Sequence, residues 1–268
     1  MGELVFVGLG LYDDLDISVK GLEEVRRADH VYVEFYTSLM AGFSIERFRK
    51  LAGRDITIVS RRILEDECGE PILKKAVDGK VVLLVPGDPL IATTHIDLRI
   101  RAEKCGIKTR IVHGASIISA AIGLSGLQNY RFGKSVTIPI PDNGFISETP
   151  YEVISENLDR SLHTLCFLDI RADEDRYLSV GEALRILLNL EGRRRLGVIT
   201  PKTLAVGVAR AGADDVEVKA DWISELLNYD FGSPPHILII PARKLHFVEA
   251  EALITLAGAP ESVREMVR

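Results

Sequence analysis

The sequence predicts an α/β protein of two domains, the first built on a mainly parallel sheet and the second on a mixed one. Three observations carry this. Short apolar runs alternate with amphipathic stretches through residues 4–112, the pattern of parallel strands linked by crossover helices. Small residues, glycines and then prolines break that alternation after residue 113. A length of 268 residues accommodates two domains of ordinary size. The expected division is a first domain at 1–113, a connecting segment at 114–134 and a second domain at 135–268.

The opening strand is residues 4–9, which ends in Gly8-Leu9-Gly10. Ser18 then precedes Val19, Leu22, Val25 and Ala28 at helical spacing. Further strands are predicted at 31–35, 56–59, 81–85 and 108–112, with helices at 44–51, 71–77 and 94–104. The small-residue stretch Gly114-Ala115-Ser116-Ile117-Ile118-Ser119-Ala120-Ala121 reads as a helix, followed by Gly123, Gly126, Gly133 and the Pro-rich segment 139–144, which includes Asn143. In the second half, helices are predicted at 151–162 and 180–190, and strands at 164–170, 204–210 and 236–241. Residues 215–219, flanked by turns, suit a hairpin, which makes the second sheet mixed.

Composition excludes several classes. With 47% hydrophobic and 27% charged residues the chain is globular. A net charge of −6 argues against a phosphate-backbone binder. Arg61-Arg62 and Arg193-Arg194-Arg195 are short enough to be solvated faces. The N-terminus lacks a basic signal region, position 6 is Phe rather than the Ser or Thr of a myristoylation site, and no apolar run nears the roughly 20 residues of a membrane span. A cytoplasmic location is expected. Cys68, Cys105 and Cys166 are odd in number and widely spaced, so neither a disulfide framework nor a zinc site is expected, and no metal is.

The most informative loop is Val85 to His95. An apolar run stops at Pro86-Gly87-Asp88-Pro89, placing a carboxylate and small residues at a strand's C-terminal edge, where open α/β sheets bind ligands. Gly87 lets a ligand approach the backbone, and the prolines limit the states lost on binding. Asp88 offers acceptors to a ribose hydroxyl or an amino group. The loop has no Lys and no GxxxxGK[ST] spacing, so an adenosine-containing cation suits it better than a nucleoside triphosphate. The same residues also make tight turns for local reasons, and the loop alone leaves both readings open.

Other motifs occur with it in order: Gly8-Leu9-Gly10-Leu11-Tyr12-Asp13, Glu34-Phe35-Tyr36-Thr37-Ser38, Phe167-Leu168-Asp169-Ile170, Ala209-Arg210-Ala211-Gly212, Pro234-Pro235-His236-Ile237-Leu238 and the closing Leu245 to Glu251 segment. This set, spanning essentially the whole chain, resembles the diphthine synthases of the tetrapyrrole methylase superfamily. Tetrapyrrole methylases commonly carry a longer glycine-rich first loop. Leu11 and Tyr12 after Gly10 depart from it and favour the diphthine branch.

The resemblance implies two α/β domains of the tetrapyrrole methylase type with S-adenosyl-L-methionine in the interdomain cleft. It implies cofactor contacts at Leu9, Asp88, Ile91, Ser116, Ile117, Leu168, Ala211 and His236. Taken without it, the apolar members of this set suit a core, Ser116 suits a helix cap and His236 a strand edge. The implied activity is successive N-methylation of the amino group of a modified histidine on translation elongation factor 2, by a homodimer that contacts neither nucleic acid nor membrane. Tyr36, Thr37, Ser38, Thr93, Thr94 and His95 are candidates for the acceptor side. Asp88, His95 or bulk water could take the proton that the amine loses, and no catalytic residue is assigned. Two alternatives stand: a precorrin-type tetrapyrrole methyltransferase, and a noncatalytic adenosine-ligand module.

Overall fold

A computed structural model of the protein describes residues 2–142 and 144–268; Met1 and the Asn143 of the Pro-rich segment lie outside the described residues. The chain divides into two compact units, Met1–Ile117 with Ala172–Glu174, and Ile118–Arg171 with Asp175–Arg268. Among the described residues no helix is long and apolar enough to cross a membrane.

The first unit runs β1 (Glu3–Gly8), α1 (Val19–Arg26), β2 (His30–Val33), α2 (Ile45–Ala52), β3 (Thr57–Ile58), α3 (Arg61–Leu64), α4 (Glu70–Asp78), β4 (Lys80–Val85), α5 (Ile96–Lys104) and β5 (Lys108–Val112). Its strands pair in parallel in the order β3-β2-β4-β1-β5. Central strands of a parallel sheet are covered on both faces, so they are apolar throughout rather than alternating. In β1, Val5 and Val7 join Val82 and Leu84 against Val25 of α1 and Phe48 of α2. Leu4 and Phe6 join Val81 and Leu83 on the other face, against Ile72 of α4 and Leu98 of α5. Helix starts follow local chemistry: the Ser18 hydroxyl accepts from the Gly21 N–H at 3.0 Å and Ser44 from Arg47 N–H at 3.3 Å. Gly53, at φ +67°, ends α2 in the left-handed conformation that a side chain disfavours.

Strand order locates a crevice at the C-terminal edge of this sheet. From β1 the chain moves through α1 toward β2, whereas from β4 it moves through α5 to β5 on the far side of β1. Adjacent strands whose connections leave in opposite directions form a topological switch point, and the crevice at their C-terminal ends is where such sheets bind ligands. Here those ends carry Gly8-Leu9-Gly10 and Pro86-Gly87-Asp88.

The second unit contains α6 (Ile117–Ser125), β6 (Val136–Ile138), α7 (Thr149–Asp159), β7 (Thr164–Leu168), a small hairpin of β8 (Ile170–Arg171) and β9 (Arg176–Tyr177), α8 (Val180–Arg194), β10 (Leu204–Ala209), β11 (Glu217–Trp222), α9 (Ile223–Leu226), β12 (His236–Ile240) and α10 (Phe247–Ala257). Its sheet has the order β11-β10-β12-β7-β6, antiparallel except where β6 lies parallel to β7. The hairpin expected around residues 215–219 is the β10–β11 pair, with Ala209 opposite Glu217. A capping box starts α8: Ser179 Oγ accepts from the Glu182 N–H, and Glu182 accepts from the Ser179 N–H at 2.9 Å.

Several elements differ from expectation. The strand predicted at 164–170 is split: β7 stops at Leu168, the Asp169 carboxylate accepts from the Ile140 N–H at 2.9 Å, and the chain restarts as β8. β6 is three residues between glycines and prolines, too short for a periodic signal. α10 is apolar around most of its circumference, so its periodicity is weak.

One buried carboxylate ties the start of α10 to the segment after α6. Glu249, fully buried, accepts from the Gln128 N–H at 3.0 Å, the His246 N–H at 2.8 Å, His163 Nε2 at 2.9 Å and the Arg131 guanidinium. Burial by itself would raise its pKa; hydrogen bonds from His163, His246 and Gln128 outweigh that and bring it down to about 2, from an ordinary value of 4.5. The folded carboxyl therefore titrates below the unfolded one. Its contribution is present above pH 4.5 and disappears as pH falls toward 2, amounting to about 3 kcal/mol by linkage. Glu249→Gln is expected to lower unfolding free energy at pH 7 by about 3–5 kcal/mol, with the gap to wild type narrowing between pH 4.5 and 2; urea titrations across that range check it.

Candidate functional site

Three neighbouring strands, β4, β1 and β5, end in loops whose backbones touch. A Cβ on Gly8 would overlap the Gly87 carbonyl and come within 2.6 Å of the Gly114 nitrogen. A Cβ on Gly114 would meet the same carbonyl and the Gly8 backbone at 2.9 Å. Gly10 and Gly87 exchange backbone hydrogen bonds at 3.3 and 2.6 Å, forming an isolated antiparallel bridge across the crevice. Both hold positive φ, +89° and +69°, conformations natural only to glycine. The crevice floor is thus bare backbone.

Side chains around it are tightly committed. The Asp16 carboxylate accepts from the Leu11, Tyr12 and Asp13 N–H groups at 3.2, 2.6 and 3.2 Å. That cluster of amides, which could otherwise cradle a phosphate, is filled by the protein's own anion. Asp88 is buried, and its carboxylate lies 2.7 Å from Nδ1 of the exposed His113. His113 escaped the sequence reading: it stands at the end of β5, and only strand order sets it beside the end of β4.

The residues singled out in sequence fall into two groups. In the first unit, Leu9 and Asp88 flank the switch point, and Ile91 follows in the same loop with 40% of its surface exposed, its N–H bonded to the Asp88 carbonyl. Ser116 and Ile117, half-buried, stand where α6 begins, two residues beyond Gly114. In the second unit, Ala209 pairs with His236 and Ile237 with Phe167, which brings Ala211, His236 and Leu168 to one edge of the mixed sheet. Leu9 and Leu168 place their side chains in the cores, so each presents backbone to its strand edge.

His236 is held by its surroundings. Its Nε2–H donates to the Gly232 and Ser233 carbonyls, both at 3.1 Å. Burial pushes its pKa below the ordinary 6.5, opposed by those carbonyls. A neutral ring with its proton on Nε2 leaves a lone pair on Nδ1, which is buried without a hydrogen-bond partner among the described residues. Arg210 closes the neighbouring loops, donating to Phe231 O at 2.6 Å, Ser233 O at 3.1 Å and Asp215 O at 2.9 Å.

A second polar cluster lies beside the crevice, in the loops after β2 and β4. Glu34, fully buried, accepts from the Tyr36 and Thr37 N–H groups at 2.9 and 3.1 Å and from the Thr37 hydroxyl at 2.5 Å. Tyr36, Leu64, Glu65, Thr94, His95, Asp97 and Leu98 line a cavity of about 220 Å³. Of the acceptor-side candidates, Tyr36, Thr94 and His95 line it. Thr37 is bound to Glu34, and Thr93 donates to the Pro89 carbonyl at 2.9 Å. Burial pushes the Tyr36 phenol above its ordinary range, so it remains a protonated donor.

The sequence pattern of the tetrapyrrole (corrin/porphyrin) methylases matches residues 3–226. The diphthine synthase of Methanococcoides burtonii is 53% identical, covering 98% of this chain and 99% of its own length. That of Methanothermobacter thermautotrophicus is 45% identical, covering 98% of each. A crystal structure of diphthine synthase superposes with a TM-score of 0.90 at 43% identity, covering 99% of this chain and 100% of that one.

The chain belongs to the diphthine synthases. It is accordingly a methyltransferase of the tetrapyrrole methylase family, and the two sheets, one parallel and one mixed, are that family's architecture. Gly8 and Gly114 leave no room for added bulk, because a Cβ on either would overlap the Gly87 carbonyl. Gly114→Ala is expected to cost about 1–3 kcal/mol, since the obstructing atoms are backbone and cannot rotate away; denaturant unfolding of the variant measures it.

Proposed function

We propose that this chain methylates, in successive steps, the amino group of a modified histidine on translation elongation factor 2, using S-adenosyl-L-methionine, and so makes the diphthine intermediate of diphthamide. The observation that carries this reading is the match to diphthine synthases over essentially the full length of both chains. The residues present suit the cofactor. Bare backbone at Gly87, where a Cβ would meet nothing nearer than 4.0 Å, admits close approach, Asp88 is an acceptor for a hydroxyl or amino group, and the amides at residues 11–13 are already filled by Asp16 rather than open to phosphate.

In this reading Leu9, Asp88, Ile91, Ser116 and Ile117 of the first unit, and Leu168, Ala211 and His236 of the second, hold the cofactor. When bound, S-adenosyl-L-methionine supplies a methyl already activated by sulfonium charge. The protein's work is then alignment and exclusion of water rather than activation by a strong base. Ile91 offers an apolar surface, and Leu9 and Leu168 offer backbone groups. The unpartnered Nδ1 of His236 is a ready acceptor for an amino or hydroxyl donor. The acceptor amine must shed a proton before the early transfers. A cytoplasmic homodimer is part of the same reading, and light scattering of the purified protein checks its mass.

Incubation with radiolabelled S-adenosyl-L-methionine and cell extract, followed by separation by mass, is expected to label elongation factor 2. Label on a small porphyrinoid alone, or on nothing, would sink the reading. Asp88→Ala is expected to weaken cofactor binding about tenfold or more, the scale of one lost hydrogen bond to a charged group; calorimetry giving an unchanged Kd would remove Asp88 from the site.

A further inference from the structure

The cavity beside the crevice contains two polar atoms that the fold leaves without partners. His95 is 3% exposed, yet its Nε2 makes no hydrogen bond, and the buried Tyr36 hydroxyl, beside the Thr94 side chain, makes no well-aligned one among the described residues. Nε2 approaches Glu34 Oε1 at 3.3 Å, close enough for an ion pair but outside hydrogen-bond alignment. Buried polar groups in native folds are nearly always satisfied, and each exception calls for a reason. Glu34 itself is satisfied by the Tyr36 and Thr37 backbone N–H groups and the Thr37 hydroxyl. Tyr36 and His95, the residues that carry them, line the same cavity.

Size and lining restrict what enters. At about 220 Å³ the cavity is smaller than the roughly 300–1,000 Å³ of whole-metabolite pockets, and it suits one side-chain arm. Its charged groups come from every element around it. Glu34 lies behind His95; Glu65 bonds the Thr94 hydroxyl at 2.9 Å and Arg61 at 3.1 Å; Asp97 pairs with Arg101 at 2.6 Å; and the Arg61 guanidinium lies 5.6 Å from the centre of the Tyr36 ring. Three carboxylates against two arginines favour a cationic guest. Two of the segments that build the cavity follow β2 and β4, adjacent parallel strands with Val33 opposite Leu84, so they leave the same sheet edge as the Asp88 loop.

We propose that this cavity receives the amino-bearing arm of the acceptor side chain, with His95 as the base that takes the ammonium proton and the Tyr36 hydroxyl as a hydrogen-bond partner that fixes the arm. The inference rests on the methyl transfer to an amino group proposed for this chain. The N–H bond of the ammonium breaks and its proton passes to the lone pair of His95 Nε2. The freed amine then forms a bond to the sulfonium methyl carbon as the carbon–sulfur bond breaks, the electron pair leaving with sulfur as a neutral thioether. The imidazolium so formed faces Glu34 at 3.3 Å, which makes Glu34 the positioning residue that stabilises it. The proton later returns to solvent.

The test compares wild type, His95→Gln and Tyr36→Phe, all first checked for fold by circular dichroism. Three readouts are taken: S-adenosyl-L-methionine affinity by calorimetry, affinity of the unloaded enzyme for elongation factor 2 bearing the amino precursor, and kcat and KM across pH 6–9. His95→Gln is expected to keep cofactor affinity within about twofold, to lower kcat about a hundredfold at neutral pH, the lower end of what a general base contributes, and to approach wild type only as alkaline pH deprotonates the amine unaided. Tyr36→Phe is expected to weaken acceptor binding and raise KM about tenfold with kcat nearly unchanged, the scale of one hydrogen bond. Wild type labelling elongation factor 2 while both variants match it within threefold in every readout would overturn the assignment. So would loss of cofactor affinity in either folded variant, which would give the cavity to the cofactor. If His95→Gln does not fold, Tyr36→Phe with unchanged acceptor affinity and KM is sufficient to overturn it. Failure of wild type to label elongation factor 2 is a separate result, and it removes the proposed function itself.

Discussion

The contact among Gly8, Gly87 and Gly114 is the constraint on which the first unit's site depends. Three parallel strands end within van der Waals reach of one another because no Cβ stands between their loops. The antiparallel bridge between Gly10 and Gly87 then locks two of those loops together. Every polar group at the crevice is placed relative to this floor: Asp88 one residue beyond Gly87, and His113 one residue before Gly114. A methyl group on Gly8 or Gly114 would collide with this backbone and push apart strands whose register is set by continuous pairing from Glu3–Lys80 to Gly8–Val85.

Buried carboxylates show two different uses of the same chemistry. Glu249 and Glu34 are both fully buried. Glu249 is surrounded by donors from three segments, including His163, whose other ring nitrogen accepts from the Ala242 N–H at 2.8 Å. That network is closed, and a closed network rigidifies a core. Glu34 is satisfied as well, but its neighbour His95 is not, and neither is Tyr36. A low dielectric makes such open groups costly, so the first network reads as architecture and the second as a place held open for a guest.

Much of the fold was legible in residue patterns. β1, β4 and β5, α1 and α8 were visible because long apolar runs and capped helical spacing are local signals. The hairpin of β10 and β11 was visible from its turns. β6 and β8 were not, because two or three residues carry no period, and α10 was not, because its apolar circumference hides its face. Among site residues, Asp88 was readable as a carboxylate at a strand end. The apolar members of the set suited a core in sequence; packing sent the side chains of Leu9 and Leu168 there and left Ile91 40% exposed. His113 carried no signal at all, since its partner Asp88 is 25 residues earlier in the chain.

The sequence alone determined an α/β protein with a parallel and a mixed sheet, and a resemblance strong enough to imply methyl transfer, because these follow from local composition, periodicity and ordered motifs. Tertiary structure decided the strand order that makes β1 and β4 a switch point and the meeting of three glycines from distant loops. It also decided which buried polar groups found partners. Those depend on distances between residues far apart in the chain, and no local pattern encodes a distance. The Pro86-Gly87-Asp88-Pro89 turn was equally a turn or a site in sequence; tertiary structure sets it beside Gly8 and Gly114 at the switch point.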